Sequence, residues 1–166
     1  GLGLCRCSCS GGARDDLPVI ILRGSAEDRG MVHGLMLKER IYRSWNFYHK
    51  LFRTVGWIDD EIKSAVLSVW AVLQQKHLKK YATEIECIAK ASGLELWKIL
   101  ALNCRTELIV ARRTASDTKE NDDEDDGECT TLYAPTANIL AQNWDWEKEL
   151  ESLYVIMKIQ YDDGHR

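Results

Sequence analysis

One cysteine, Cys129, lies where a protein would locate a reactive thiol. It follows a strongly acidic segment, residues 115–128, and it begins a run of β-forming residues with the sequence Cys-Thr-Thr-Leu-Tyr. Like charges repel one another, so we expect an exposed, mobile loop before Cys129 and an ordered strand after it. A thiol is the best side-chain nucleophile near neutral pH. A flexible bond beside a rigidly held thiol is suited to cleavage of the chain at this point.

The remaining cysteines do not suggest a disulfide framework. Three are clustered in the first residues of the chain and two lie in helical patterns; they are Cys5, Cys7, Cys9, Cys87 and Cys104. Close-set and scattered thiols of this kind favour a reducing compartment, and we expect an intracellular protein, cytoplasmic or peroxisomal. The CxCxC cluster can hold a soft metal, but no second set of Cys or His follows at zinc-site spacing. We therefore predict no metal site and interpret residues 1–16 as a disordered tail rich in Cys, Gly and Ser.

The elements before Cys129 are predicted to be one strand followed by helices. Residues 17–23 form an apolar run of strand length that Gly24 and Ser25 end. Apolar residues then recur three or four apart, which predicts one long helix from about Ala26 to Gly56. Two further helices are predicted, the first capped by Asp59 or Asp60 and the second ending at Ser92-Gly93. Ser92 and Glu95 form an S-x-x-E capping-box pattern ahead of a fourth helix.

After Cys129 the pattern changes to β structure. Residues 129–133 and 139–144 predict two short strands joined by a turn at Pro135-Thr136-Ala137-Asn138. A third strand is predicted to end near Tyr161. The Asp-Gly signature of a hairpin follows at residues 162–164, with only two residues after it, so we expect the sheet to be incomplete and the chain to be the front part of a longer protein.

The length, net charge and apolar runs of the chain limit the classes of partner that it can have. The chain has 166 residues and a net charge of -4, which suits one α+β domain and argues against a nucleic-acid partner, since a phosphate-binding surface needs excess Lys and Arg. No apolar run approaches the roughly 20 residues that a membrane-spanning helix needs, so no membrane partner is expected.

Three motifs in order carry a family resemblance. The sequence Cys-Thr-Thr-x-Tyr at 129–133, followed by Gln-Asn-Trp-Asp at 142–145, resembles the isopenicillin N acyltransferase (acyl-coenzyme A:6-aminopenicillanate acyltransferase) family of N-terminal-nucleophile hydrolases. Gly30-x-x-His33-Gly34 resembles the G-x-x-H-G element near the family's amino end. Residues 102–107, Leu-Asn-Cys-Arg-Thr-Glu, resemble its L-N-x-R-[ST]-E element.

The resemblance implies a fold and a division of the chain. The fold is the αββα sandwich of N-terminal-nucleophile hydrolases, preceded by a mostly helical pro-segment. Residues 17–114 then correspond to a helical α-subunit-like region, residues 115–128 to the acidic processing loop, and residues 129–166 to the start of the catalytic β-subunit-like region.

The resemblance also implies a mechanism. The precursor is cut between Glu128 and Cys129, and the new amino-terminal Cys129 attacks an amide or acyl-coenzyme A substrate without metal or bound cofactor. The two pieces remain together as an α/β heterodimer. Asp145 and Asn143 support catalysis, and three residues contact substrate, namely Thr131, Trp144 and Trp146. The family commonly has Gly before the nucleophile, whereas this chain has Glu128, whose charged side chain restricts the backbone.

Other interpretations of the same residues stay open. A lone Cys at the start of a strand is often a small buried hydrophobe, and Asp145 can cap a turn. His33 is an acid or base candidate, but beside Gly34 it fits packing better. Arg105 and Glu107 are interpreted as a charged pair that fixes the last helix. The competing function is non-enzymatic: an unprocessed, inactive fragment that acts as a helical interaction domain.

Overall fold

The computed structural model describes residues 17–116, 129–142 and 147–161. Within them the chain is an α+β protein in which helices predominate. Strand β1 (Val19–Gly24) leads into six helices, which are α1 (Ala26–Met36), α2 (Lys38–Thr54), α3 (Asp59–Leu73), α4 (Lys79–Ser92), α5 (Leu96–Asn103) and α6 (Arg105–Ser116). Strands β2 (Thr131–Ala134) and β3 (Ile139–Gln142), a 3₁₀ helix (Lys148–Leu153) and strand β4 (Ile156–Tyr161) follow.

The region predicted as one long helix is two helices that meet at Leu37. The helical hydrogen bonds continue through the junction, but Leu37 has φ -107° and ψ 14°, which turns the chain. Helix α1 packs closely on α4, whereas α2 directs its apolar side into the core against α5 and α6. One straight helix cannot reach both sets of partners, so the single-helix prediction was wrong. The fourth predicted helix is likewise divided, at Cys104.

The helix termini show which local signals the chain uses. Ser25 caps α1 through a capping box, since its hydroxyl accepts from the Asp28 amide at 3.2 Å and the Asp28 carboxylate accepts from the Ser25 amide at 3.1 Å. Gly93 ends α4 with φ 79°, a left-handed conformation that glycine adopts without strain.

Two predicted caps were wrong. Before α3, the Ile58 amide donates to Glu61, and Asp59 bonds His49 instead of capping the helix. Ser92 bonds the Ala89 carbonyl and the Leu94 amide within the α4–α5 connection, so the S-x-x-E pattern at Ser92 is not a capping box.

The strands form two separate pairs. β1 pairs with β4 in parallel, with Val19 opposite Ile156 and Gly24 opposite Tyr161. β2 and β3 form the predicted antiparallel hairpin, with Thr131 opposite Gln142. Its turn is closed by a hydrogen bond from the Ala137 amide to the carbonyl of Ala134, the last residue of β2, and by one within the turn from the Asn138 amide to the Pro135 carbonyl.

The core lies among the helices. Phe52, Ile62 and Leu100 are fully buried, and the Trp45 and Trp97 rings meet edge to face at 5.2 Å between centroids. Burial of apolar surface from α2, α3 and α5 is therefore the main stabilising contribution to the helical region. No described helix has the length and apolarity that crossing a membrane requires.

Candidate functional site

Cys129 lies two residues before β2, and its side chain is exposed. Thr131, the first residue of β2, pairs with Gln142, the last residue of β3, and both side chains are exposed. Because strand side chains alternate between faces, Thr131 shares a face with Tyr133 and with their partners Leu140 and Gln142. The thiol is thus accessible at the open end of the hairpin, beside the last described residue of the returning strand.

The hairpin exposes apolar side chains on both faces. Tyr133 and Leu140 lie opposite each other on one face and are 60% and 70% exposed, while Leu132 and Ile139, on the other face, are 64% and 55% exposed. Within the described residues the hairpin packs extensively against no other helix or strand. Isolated two-stranded hairpins have little stability in water.

Several predicted site residues fall outside the described parts of the chain. They are Glu128 on the amino side of the nucleophile, the residues Asn143, Trp144, Asp145 and Trp146 after β3, most of the acidic loop, and the amino-terminal cysteines. Their positions relative to Cys129 stay predictions. Among the described residues, no group of three His, Cys, Asp or Glu side chains is arranged to hold a metal ion.

The other two described thiols differ from Cys129 in their surroundings. Cys87 and Cys104 are half-buried, and burial raises the pKa of each thiol, with the Glu27 charge adding to the effect at Cys87 and the Glu107 charge at Cys104. A raised pKa lowers the thiolate fraction and hence the nucleophilicity. Cys129 is the exposed thiol of the three.

The G-x-x-H-G motif has a packing role in α1. Gly30 and Gly34 are buried where α1 crosses α4. A Cβ added at Gly30 would lie 2.5 Å from the Glu84 carbonyl oxygen, and one at Gly34 would lie 2.6 Å from the Ala91 Cβ. Both distances are far inside van der Waals contact, so these two positions require glycine for the helices to approach this closely.

Arg29, beside this motif, anchors β1 and α1 to α4. Its guanidinium donates to Glu84 through Nε at 3.1 Å and Nη2 at 2.7 Å, and to the Gly24 carbonyl through Nη1 at 2.7 Å. It also lies over the Tyr161 ring of β4 at 4.8 Å from the centroid. One buried cation therefore joins two helices and the parallel strand pair.

Residues of two sequence motifs meet at one cavity of about 280 Å³. His33 from G-x-x-H-G lines it, together with Asn103 and Arg105 from the L-N-x-R element. Its other polar lining residues are Arg40, Ser44, Tyr48 and Tyr154. The sequence reasoning missed Arg40 and Ser44 as site candidates, although the two are four residues apart and so lie on one face of α2.

Hydrogen bonds fix the polar lining residues of α5 and α6. Asn103 donates to the Ile99 carbonyl at 2.8 Å, and Arg105 donates from Nε to the Tyr48 hydroxyl at 3.2 Å and from Nη1 to the Leu102 carbonyl at 3.2 Å. The predicted Arg105–Glu107 pair was wrong: no described salt bridge joins the two side chains, and residues two apart on a helix do not face each other.

The electrostatics of the cavity combine a neutral imidazole with positive charge. Burial lowers the pKa of His33, and the nearby Glu84 charge only partly opposes the shift, so the imidazole is neutral at pH 7. His33 therefore lines the cavity as a neutral side chain rather than as a cation. Burial also raises the pKa of the Tyr154 hydroxyl, and the nearby Tyr48 and Glu151 add to this effect.

No family model matches this chain.

Proposed function

We propose that this chain carries the self-processing region of a cysteine N-terminal-nucleophile enzyme related to the isopenicillin N acyltransferase family. Cys129 first cuts its own backbone and then hydrolyses or transfers an acyl group at an amide bond through a thioester. The observation that carries the proposal is the placement of Cys129, an exposed thiol at the open end of a hairpin whose two strands supply the Cys-Thr-Thr-x-Tyr motif and the first residue of Gln-Asn-Trp-Asp.

The processing step follows from thiol chemistry. The Cys129 sulfur attacks the carbonyl carbon of Glu128, the C–N bond breaks, and the acyl group moves to sulfur while the nitrogen takes the proton and becomes a free α-amine. Water then opens the thioester, which leaves a Glu128 carboxylate and restores the thiol. The reaction needs no oxidant, metal or cofactor.

The new α-amine supplies the base for turnover. Its reference pKa of about 7.7–8.0 is close enough to neutrality to accept the thiol proton during attack on a substrate carbonyl. The proposal requires β-pairing to continue past Gln142, so that Asp145 can accept hydrogen bonds from the protonated amine and Asn143 can line the site. Thr131, Trp144 and Trp146 are assigned to substrate contacts, with a small-molecule amide or acyl-coenzyme A as the substrate.

The exposed hairpin supports the αββα sandwich as the fold of the region after Cys129. In such a sandwich one face of each sheet packs on helices and the other on the second sheet, so strands are apolar on both faces. Leu132 and Ile139 on one face and Tyr133 and Leu140 on the other meet that requirement.

Intact-mass spectrometry of the purified full-length protein tests the proposal. Self-cleavage predicts a fragment that begins with Cys129, and Cys129→Ala abolishes it because no thiol remains to attack. Cys87→Ala is the matched control. The alanine retains the Cβ that packs against Gly30, and the proposal gives the Cys87 thiol no chemical role. Glu128→Gly restores the residue common in the family and should accelerate cleavage, because glycine relaxes the backbone before the nucleophile.

The competing function, a passive helical interaction domain, predicts other results. The peptide bond between residues 128 and 129 then stays intact in the wild type, in Cys129→Ala and in Glu128→Gly alike. Turnover of substrate by protein whose Glu128–Cys129 bond is uncut would also contradict the proposed mechanism.

A further inference from the structure

The cavity that His33 and Arg105 share is lined mostly by carbon. Its apolar wall comes from several elements, among them α2, α5 and the 3₁₀ helix, with Leu37, Ile41, Ile88, Ile99, Leu150 and Leu153 as its main residues. Its volume of about 280 Å³ is just below the range of roughly 300–1,000 Å³ that is usual for ligand pockets. A ligand there must be small and must present an apolar body.

The cavity also holds positive charge without a matching acid. Arg40 and Arg105 line it, and among the residues that the structure describes no Asp or Glu contributes to the lining. In the described part of the chain, the Arg40 Nε is buried and has no hydrogen-bond partner, and no carboxylate forms a salt bridge with Arg40. A buried donor of this kind is costly unless a partner satisfies it.

The guanidinium groups of Arg40 and Arg105 differ in the hydrogen bonds that they already make. Arg105 is already oriented by the Tyr48 hydroxyl and the Leu102 carbonyl through Nε and Nη1. A positioned guanidinium loses little conformational freedom when it binds an anion, and its planar donors match a carboxylate. Arg40 lines the cavity and makes no side-chain hydrogen bond or salt bridge among the described residues, so its guanidinium can pair with an anion, and neutral His33 adds hydrogen-bonding capacity without further charge.

We propose that this cavity binds a small monocarboxylate with an aliphatic or aromatic body. Its carboxylate accepts hydrogen bonds from Arg40 and Arg105, and its apolar body packs against residues such as Leu37, Ile99 and Leu153. The chemistry of the lining selects this class, because one anionic head satisfies the guanidinium donors and the carbon wall excludes a second polar group. The proposal does not depend on Cys129, which contributes nothing to the lining.

Calorimetric titration of the whole protein with octanoate tests the proposal. We expect saturable binding of octanoate, with octanamide and acetate at least about tenfold weaker, because the first lacks the charge and the second lacks the apolar body. Octyl phosphate and inorganic phosphate test the other anionic head. Octanamide binding as tightly as octanoate, tighter binding of either phosphate, or no saturable octanoate binding by the folded protein overturns the proposal.

Two variants and a control locate the site. Arg40→Gln should weaken octanoate binding roughly tenfold or more, since a charge-assisted hydrogen bond is lost, whereas Arg53→Gln, at an exposed arginine of the same helix, should leave it unchanged. Ser44→Phe should also weaken binding by filling the cavity, which decides the matter if Arg40→Gln fails to fold. Unchanged affinity in folded Arg40→Gln or Ser44→Phe contradicts the assignment. Cys129→Ala should bind octanoate normally even if the proposed self-cleavage is absent.

Discussion

Gly30→Ala sets two physical effects of opposite sign against each other. Alanine has a helix propensity better than glycine by about 0.8–1.0 kcal/mol, so at a helix position with free space the change stabilises. At Gly30 the added Cβ would lie 2.5 Å from the Glu84 carbonyl oxygen and 2.6 Å from the Cys87 Cβ. These neighbours are backbone and Cβ atoms, which cannot rotate away.

The magnitude follows from how far α1 must move. Carbon atoms in contact prefer about 3.5–4.0 Å, so the helices must separate by roughly 1 Å at the crossing. That separation also disturbs the Arg29–Glu84 bonds, which start one residue away. Overpacking of a tight contact costs typically about 1–3 kcal/mol, and the displaced Arg29 contacts add to it. After the propensity gain is subtracted, we expect a net loss of about 1–2 kcal/mol in the free energy of unfolding.

Urea denaturation followed by circular dichroism measures this loss. Gly34→Ala should behave in the same way, because its Cβ would lie 2.6 Å from the Ala91 Cβ and 2.7 Å from the Ile88 carbonyl oxygen. Ser68→Ala is a control at an exposed position of α3, where no helix crossing is involved. A Gly30→Ala protein as stable as the wild type, or more stable, refutes the close-approach explanation of the G-x-x-H-G motif.

Two further predictions concern charged and titratable groups near this crossing. Glu84→Leu should cost about 3 kcal/mol of stability, because it leaves the Arg29 cation buried without its carboxylate. In a double-mutant cycle with Arg29→Met, the double variant Arg29→Met with Glu84→Leu should recover much of that loss, and strictly additive losses would contradict the pairing. His33 has a folded-state pKa below its ordinary value of 6.5. Between these two pKa values the imidazole is protonated in the unfolded chain but neutral in the folded chain. Stability should therefore fall as pH drops below about 6.5, down to the lowered pKa. His33→Asn should flatten this part of the profile measured by thermal unfolding, and superimposable profiles for the two proteins would show the assignment to be wrong.

The candidate site was only partly accessible to sequence reasoning. The hairpin around Cys129 was predicted because its signals are local: β-forming residues flank a Pro-containing turn. The cavity was not predicted, since Arg40 and Tyr48 look like ordinary positions on an amphipathic helix until α5 and the 3₁₀ helix pack beside them. Its motif residues, His33 and Arg105, were singled out individually, but nothing in their spacing showed that they meet.

The sequence by itself determined most of the helical and strand regions, several of their ends and the position of Cys129 just before a strand. These features depend on interactions within a few residues, such as the Ser25 capping box and the left-handed Gly93. Only the tertiary structure decided the bends at Leu37 and Cys104, the parallel pairing of β1 with β4, and the meeting of His33 with Arg105. Each of these arises from contacts between residues distant along the chain, where close packing and the partners of buried charges outweigh local preference.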